Sequence, residues 1–278
     1  MTGRQFLFFL LSVTAIAFAS TSQALLPPQE VNNEEFPSSV AFVLVSNLSK
    51  CTATKVAPKT FLTAAHCFDQ FQRGSEISIE QISHKQMKLE VRTRITQLKI
   101  HPFFSAHPGK INRLAKTAIA ILPDVAVFTT ADDVNVPIAK LNFDRLQLAQ
   151  DILVGGYGAQ GKEYCYPILH PCSLNMADQK VRFIKSLFFY TAPDQRFPHF
   201  LTEGDSGGPA YIRNRATGEL EVVGINSMMT PASAKQAFDM IFTSNQRANP
   251  PRTASIYVRI SELEPWIWAT IHELTKKH

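Results

Sequence analysis

From residue 87 to residue 96 apolar and polar side chains alternate: Met87, Leu89, Val91, Thr93 and Ile95 against Lys88, Glu90, Arg92, Arg94 and Thr96. A two-residue period sends the two sets to opposite faces of a strand, so the stretch predicts a sheet strand with one wet face. The phase then slips. Leu98 and Ile100 carry the apolar positions on with opposite parity, as one extra residue in a bulge would produce. Apolar runs at 40–45, 118–122, 152–154 and 221–225 predict further short strands between turn residues. Helical periodicity is concentrated at the end: within 265–276, Trp266, Ile267, Ala269, Thr270, Ile271 and Leu274 form one apolar face, closed by Lys276 and Lys277. Many short strands with one terminal helix predict an all-β barrel or sandwich with a C-terminal α-helix.

A different pattern opens the chain. Arg4 precedes an apolar run from Phe6 to Ala19, and the small residues Ser22 and Ala24 flank Gln23. The run falls short of the roughly 20 residues that span a bilayer, and a small-x-small site follows it. Residues 1–24 therefore read as a secretory signal peptide and 25–278 as the mature chain, without a stable membrane anchor, destined for secretion or the periplasm.

Composition changes this picture little. With 45% hydrophobic residues, 17 prolines and 12 glycines in 278 residues, the chain has material for a core and many turns. A formal charge of +5 without basic clustering gives no footprint for nucleic acid. The four cysteines, Cys51, Cys67, Cys165 and Cys172, favour disulfides in an exported chain, with three pairings open. A zinc site built from them with His66 and His170 is the competing reading, but the paired spacing of zinc modules is missing.

Chemistry is concentrated in two short stretches. Gly204 to Pro209 reads GDSGGP, which sets Ser206 among residues that let backbone N–H groups come close to a substrate carbonyl. A serine hydroxyl needs a base to become a nucleophile. Thr63 to Cys67 reads TAAHC and supplies a histidine, His66, beside a cysteine at a predicted strand end.

In this order, TAAHC and GDSGGP resemble the trypsin and chymotrypsin family of serine proteases. The resemblance extends to Gly156-Tyr157-Gly158, to 223–227, to 256–260 and to Pro265-Trp266-Ile267. It implies two packed antiparallel β-barrels, the first at about 31–140 and the second at about 150–262, with a helix at about 265–276 and an active site in the cleft between them. His66 would be the general base, Ser206 the nucleophile, and the N–H groups of Gly204 and Ser206 the oxyanion donors. The implied bridge is Cys51–Cys67, leaving Cys165 with Cys172. The implied activity is that of an exported endopeptidase acting on peptides or proteins, with no metal or organic cofactor. Neither oligomeric state nor natural substrate follows from it.

Four departures bear on activity. The family's triad aspartate sits in a strand resembling DIAIL; aligned on Ile119 to Leu122, this chain has Ala118 there, and a methyl group cannot hold an imidazole. Asp124, six residues on and beyond Pro123, reads as a turn residue and only secondarily as a substitute, so the triad reads as incomplete unless a carboxylate reaches His66 Nδ1. At the specificity pocket, Phe200 stands where trypsin-like members carry an aspartate, and Ser227-Met228-Met229 replaces a pattern resembling SWG. The pocket then reads as shallow and apolar, with Phe200, Ser227 and Met229 in its walls; Ser227 also matches a position beside the family's triad, where a neutral hydroxyl replaces a carboxylate poorly. Thr202 replaces a common cysteine. Where the family has IVGG at the mature terminus, this chain has Leu25 to Val31, LLPPQEV, so Pro27 and Pro28 restrict the insertion by which a freed amine would pair with Asp205. These departures leave a weakened protease, a non-catalytic homologue that binds a partner, and a weak esterase as alternatives. If the signal peptidase itself creates the mature terminus, N-terminal sequencing of the exported protein begins at Leu25, and any other start rejects the idea.

Overall fold

The structure is a computed structural model that describes residues 39–44, 49–68, 76–82, 88–105, 122–158, 174–193, 195–197, 199–230 and 254–276. Residues 1–38, Ala118, Cys165 and Cys172 lie outside that set, as do the expectations that fall on them.

The first barrel is closed by β1 (Ser39–Leu44), β2 (Ser49–Ala57), β3 (Thr60–Thr63), β4 (Glu76–Ile82), β5 (Lys88–Ile100) and β6 (Ala126–Thr130), in the spatial order β1-β2-β3-β6-β5-β4. The alternating stretch became β5, and its slip is real: pairing with β6 shifts register between Ile95 and Gln97. Before the shift Thr93 and Ile95 face inward; after it Leu98 and Ile100 pack against the core. The bulge thus lets one long strand keep apolar residues inside while the barrel curves. Between β5 and β6 lies α1 (Pro102–Ser105), a single turn.

Strands β7 (Lys140–Leu141), β8 (Asp151–Gly156), β9 (Asn175–Lys185), β10 (Phe188–Thr191), β11 (Pro209–Arg213), β12 (Leu220–Thr230) and β13 (Ala254–Arg259) make the second sheet, in the order β11-β8-β9-β10-β13-β12-β7. A further β11–β12 pairing joins the ends of this series into a ring, with β7 lying parallel on the outside of β12. The all-β architecture with a terminal helix is therefore the one observed. Of the strand expected at 118–122 only Leu122 is described, and it belongs to no strand.

Each barrel is filled by aromatic rings. Phe61 stacks on Phe128 at 5.3 Å between centroids in the first, and Phe189 on Tyr257 at 4.7 Å in the second. All four rings are buried, and such pairs add to the burial of their area.

Helix α2 (Glu264–Thr275) follows the second barrel in sequence but packs on β2, β3 and β6 of the first. It straps the two barrels together. Pro265 occupies its first turn, where a missing N–H breaks no intrahelical bond. Ile267, Thr270, Ile271 and Leu274 are buried, and the Trp266 ring lies 4.9 Å from that of His101. Ala269, expected on the apolar face, is exposed, because the buried stripe follows positions 267, 270, 271 and 274 and turns Ala269 outward. Ile267→Ala should destabilise the fold by about 2–5 kcal/mol, whereas Ala269→Lys should stay within about 0.5 kcal/mol; urea unfolding of the two variants measures both.

Candidate active site

Strand β3 ends at Thr63 and runs through Ala64 into a 3-10 turn, Ala65–Phe68, that carries His66. Cys67 in that turn is bonded to Cys51 on β2 across a separation of 16 residues. In the chain-entropy model such a loop contributes about 3 kcal/mol, and here it fixes the turn against the barrel wall. The expected Cys51–Cys67 bridge is therefore present. Ligand atoms of Cys51, His66 and Cys67 lie within 4.8 Å of one another, yet the two sulfurs are bonded to each other, so the competing metal reading loses its thiolates.

The expectation of an incomplete triad is corrected by Asp124. Its side chain has no exposure, and its Oδ2 lies 2.7 Å from His66 Nδ1 while its Oδ1 accepts the His66 backbone N–H at 2.9 Å. Strand register explains the meeting. β3 and β6 pair antiparallel with Thr63 opposite Ala126, so continuing two residues past each strand end brings Asp124 opposite Ala65, beside His66. A third donor comes from the other barrel: Ser227 Oγ donates to Asp124 Oδ2 at 2.6 Å. Ser227 is buried at the point where β12 shifts register against β13 between Asn226 and Met228, a bulge that turns a side chain out of the regular alternation. Ser227, expected in the specificity pocket and matched to a position beside the triad, gives its hydroxyl to the carboxylate.

Burial by itself pushes the Asp124 carboxyl up. The charge of His66, the bond from its ring, the Ser227 hydroxyl and the His66 backbone N–H together outweigh that and hold it below its ordinary value. An ionised carboxylate only accepts, so the proton on the shared bond belongs to Nδ1, which makes Nε2 the basic nitrogen of the ring. The His66 side chain is 25% exposed, enough for that edge to meet a substrate.

Ser206 is carried by a loop that presses into the first barrel. Gly204 and Gly207 have φ values of +97° and +82°, a region that favours glycine. A Cβ on Gly207 would stand 2.0 Å from Thr63 Oγ1 and 2.3 Å from the Thr52 carbonyl oxygen, so no side chain fits between the loop and the strand ends of β2 and β3. Thr52 N–H donates to the Ser206 carbonyl at 2.8 Å, and Cys67 Sγ lies 4.0 Å from the same oxygen. Ser206 and His66 therefore share one seam. Along the loop, Asp205 N–H donates to Thr202 O, Gly207 N–H to Asn226 O and Gly208 N–H to Asp205 O. Among the described residues the N–H groups of Gly204 and Ser206 make no hydrogen bond, which leaves both available to an incoming oxygen.

Asp205 is buried beneath this loop. Its Oδ1 accepts Gly158 N–H at 2.8 Å, and its Oδ2 accepts the N–H and hydroxyl of Thr202 at 2.9 and 3.0 Å. Gly156 and Gly158 leave room for it: a Cβ on either would stand within 2.6 Å of an Asp205 side-chain atom. Phe200 is half-buried, and Met229, expected to narrow the pocket, is 39% exposed. Residues 231–253, and Leu25 with the amine expected to pair with Asp205, lie outside the described residues.

Sequence reasoning set Asp124 aside as a turn residue although a signal for it was present. Asp124-Val125-Ala126-Val127-Phe128 is itself an aspartate followed by alternating apolar residues, and it fits the sought pattern better than 118–122. Thr52 carried no signal at all.

A family model described as Trypsin matches residues 28–267. No curated protein matches the chain.

Because the Asp124 carboxyl is held below its ordinary value of 3.8, its pairing contributes stability that is complete above that value and lost as pH falls through the lowered folded value. The midpoint of thermal unfolding should therefore fall less steeply below pH 4 in Asp124→Asn than in the native protein.

Proposed function

The chain belongs to the trypsin family of serine proteases, and from that premise we propose that it is an exported endopeptidase with a complete catalytic triad of Ser206, His66 and Asp124. The observation that carries this reading is the buried Asp124 carboxylate on His66 Nδ1. It supports full turnover over the weakened activity that Ala118 had suggested.

In the proposed reaction Ser206 Oγ attacks the peptide carbonyl carbon while His66 Nε2 takes its proton. Asp124 balances the imidazolium that forms. The oxygen, now carrying the negative charge, meets the N–H groups of Gly204 and Ser206. His66 then gives its proton to the leaving amine, and the C–N bond breaks to leave an acyl-enzyme on Ser206. Water, deprotonated by His66, attacks the ester carbon, the C–Oγ bond breaks to release the peptide acid, and His66 returns the proton to Ser206 Oγ. No organic cofactor enters these steps.

Export is supported by the N-terminal apolar run and by the Cys51–Cys67 bridge, which persists in oxidising surroundings. Among the described residues no helix is long and apolar enough to cross a membrane. With Phe200 at the pocket position that would carry an aspartate in trypsin-like members, and Met229 at its rim, the reading favours small or medium apolar residues before the scissile bond.

The test is fluorophosphonate labelling of the purified mature protein, followed by peptide-library profiling. Labelling should occur and be lost in Ser206→Ala and His66→Ala, and Asp124→Asn should lower kcat on the order of 10⁴-fold with little change in KM. Native protein that is folded yet neither labels nor cleaves would turn the reading toward a binding homologue. Cleavage confined to Lys and Arg would overturn the apolar preference.

A further inference from the structure

Thr52 is fully buried on β2, next to Cys51, and every polar atom it owns is engaged across or beside the seam. Its hydroxyl donates to the Gly204 carbonyl at 2.8 Å and accepts the Tyr157 N–H at 3.0 Å. Its backbone N–H donates to the Ser206 carbonyl at 2.8 Å. Its own carbonyl accepts the Thr63 hydroxyl at 2.8 Å. A hydroxyl has one proton, so donating to Gly204 while accepting from Tyr157 fixes its rotor and ties three chain segments at one atom.

The two carbonyls it holds belong to Gly204 and Ser206, whose N–H groups make no hydrogen bond among the described residues. Gly204, at a φ of +97° and without Cβ, has more freedom than any other residue type to turn its peptide planes. The plane joining Gly204 to Asp205 is held at both ends: its oxygen by Thr52 Oγ1, its N–H by the Thr202 carbonyl at 3.1 Å. The plane joining Asp205 to Ser206 has its oxygen held by Gly208 N–H and Asn226 Nδ2, each at 3.0 Å, which fixes the direction of the Ser206 N–H on the same plane. The plane joining Ser206 to Gly207 is held by Thr52 N–H at its oxygen and by the Asn226 carbonyl at its N–H. Thr52 is the member of this set that belongs to the first barrel, the barrel that carries His66.

We propose that Thr52 is a positioning residue for the oxyanion donors: its hydroxyl sets the loop of the second barrel in register with the histidine of the first. The proposal rests on the peptidase reading for its catalytic consequence, while the tether itself is a property of the loop.

Thr52→Val keeps the branched shape and removes the hydroxyl; Thr52→Ser keeps the hydroxyl. In Thr52→Val, kcat for a peptide amide and the rate of fluorophosphonate labelling should each fall about tenfold with KM within about twofold, and Thr52→Ser should recover both to within about threefold. Affinity for a peptide boronic acid, whose tetrahedral adduct occupies the oxyanion site, should fall about tenfold alongside, while affinity for the cleaved product peptide should not. Amide exchange followed by mass spectrometry over 202–208, well below the unfolding transition of each variant, should be faster in Thr52→Val and native in Thr52→Ser. That readout needs no activity. Faster exchange in a native background that neither labels nor cleaves would reject the peptidase reading and support the tether. A Thr52→Val protein that is merely less stable, with native kcat, labelling and local exchange, would overturn the proposal and leave the peptidase reading standing.

Discussion

A carboxylate removed from water must have its charge answered by donors, and Asp124 has no exposure at all. Its oxygens take the His66 backbone N–H, the His66 ring and the Ser227 hydroxyl. The first two come from the turn after β3, the third from a bulge in β12, so the demand of one buried charge is met only when both barrels are in place. That requirement explains the local irregularities around it. The turn at Ala65–Phe68 bends the chain back toward Asp124 while the Cys51–Cys67 bridge holds it there, and the β12 bulge aims Ser227 across the interface.

The same interface has to let Ser206 come within reach of the histidine, which is a matter of space. Gly207 fits against Thr52 and Thr63 because it has no Cβ, and Gly208 fits against the Gly155 carbonyl for the same reason, since a Cβ there would lie 2.3 Å away. Asn226 completes the loop from below, its amide nitrogen donating to the Gly155 and Asp205 carbonyls at 2.8 and 3.0 Å. The glycines make the approach possible, and the hydrogen bonds of Thr52, Thr202 and Asn226 give it one geometry.

Local physics was legible in the sequence. The alternation from residue 87 and its slip near Thr96 gave β5 and its bulge, because side-chain period and parity are properties of neighbours in the chain. GDSGGP and TAAHC marked the loop and the turn, since glycines at positive φ and a histidine beside a bridged cysteine are also local arrangements. The aspartate was misplaced for the opposite reason. Two apolar runs, 118–122 and 125–128, were both fit to be the strand, and the choice between them depends on what pairs with β3. The resemblance put Ser227 both in the pocket and beside the triad, because its position in the alternation, without the bulge, does not show which way it turns.

What the sequence by itself determined is the set of local commitments: an all-β chain with one terminal helix, a serine loop built on glycine, a histidine turn, and cysteines suited to bridging. What only the tertiary structure decided is which distant groups those commitments meet. Asp124 lies 58 residues from His66 and 103 from Ser227, and Thr52 lies 152 from Gly204. Over such separations no sequence period links the partners. They are brought together by the pairing register of β3 with β6 and by the closeness of two barrels at glycine-lined strand ends, and the burial of one charge then makes that arrangement the one that satisfies its hydrogen bonds.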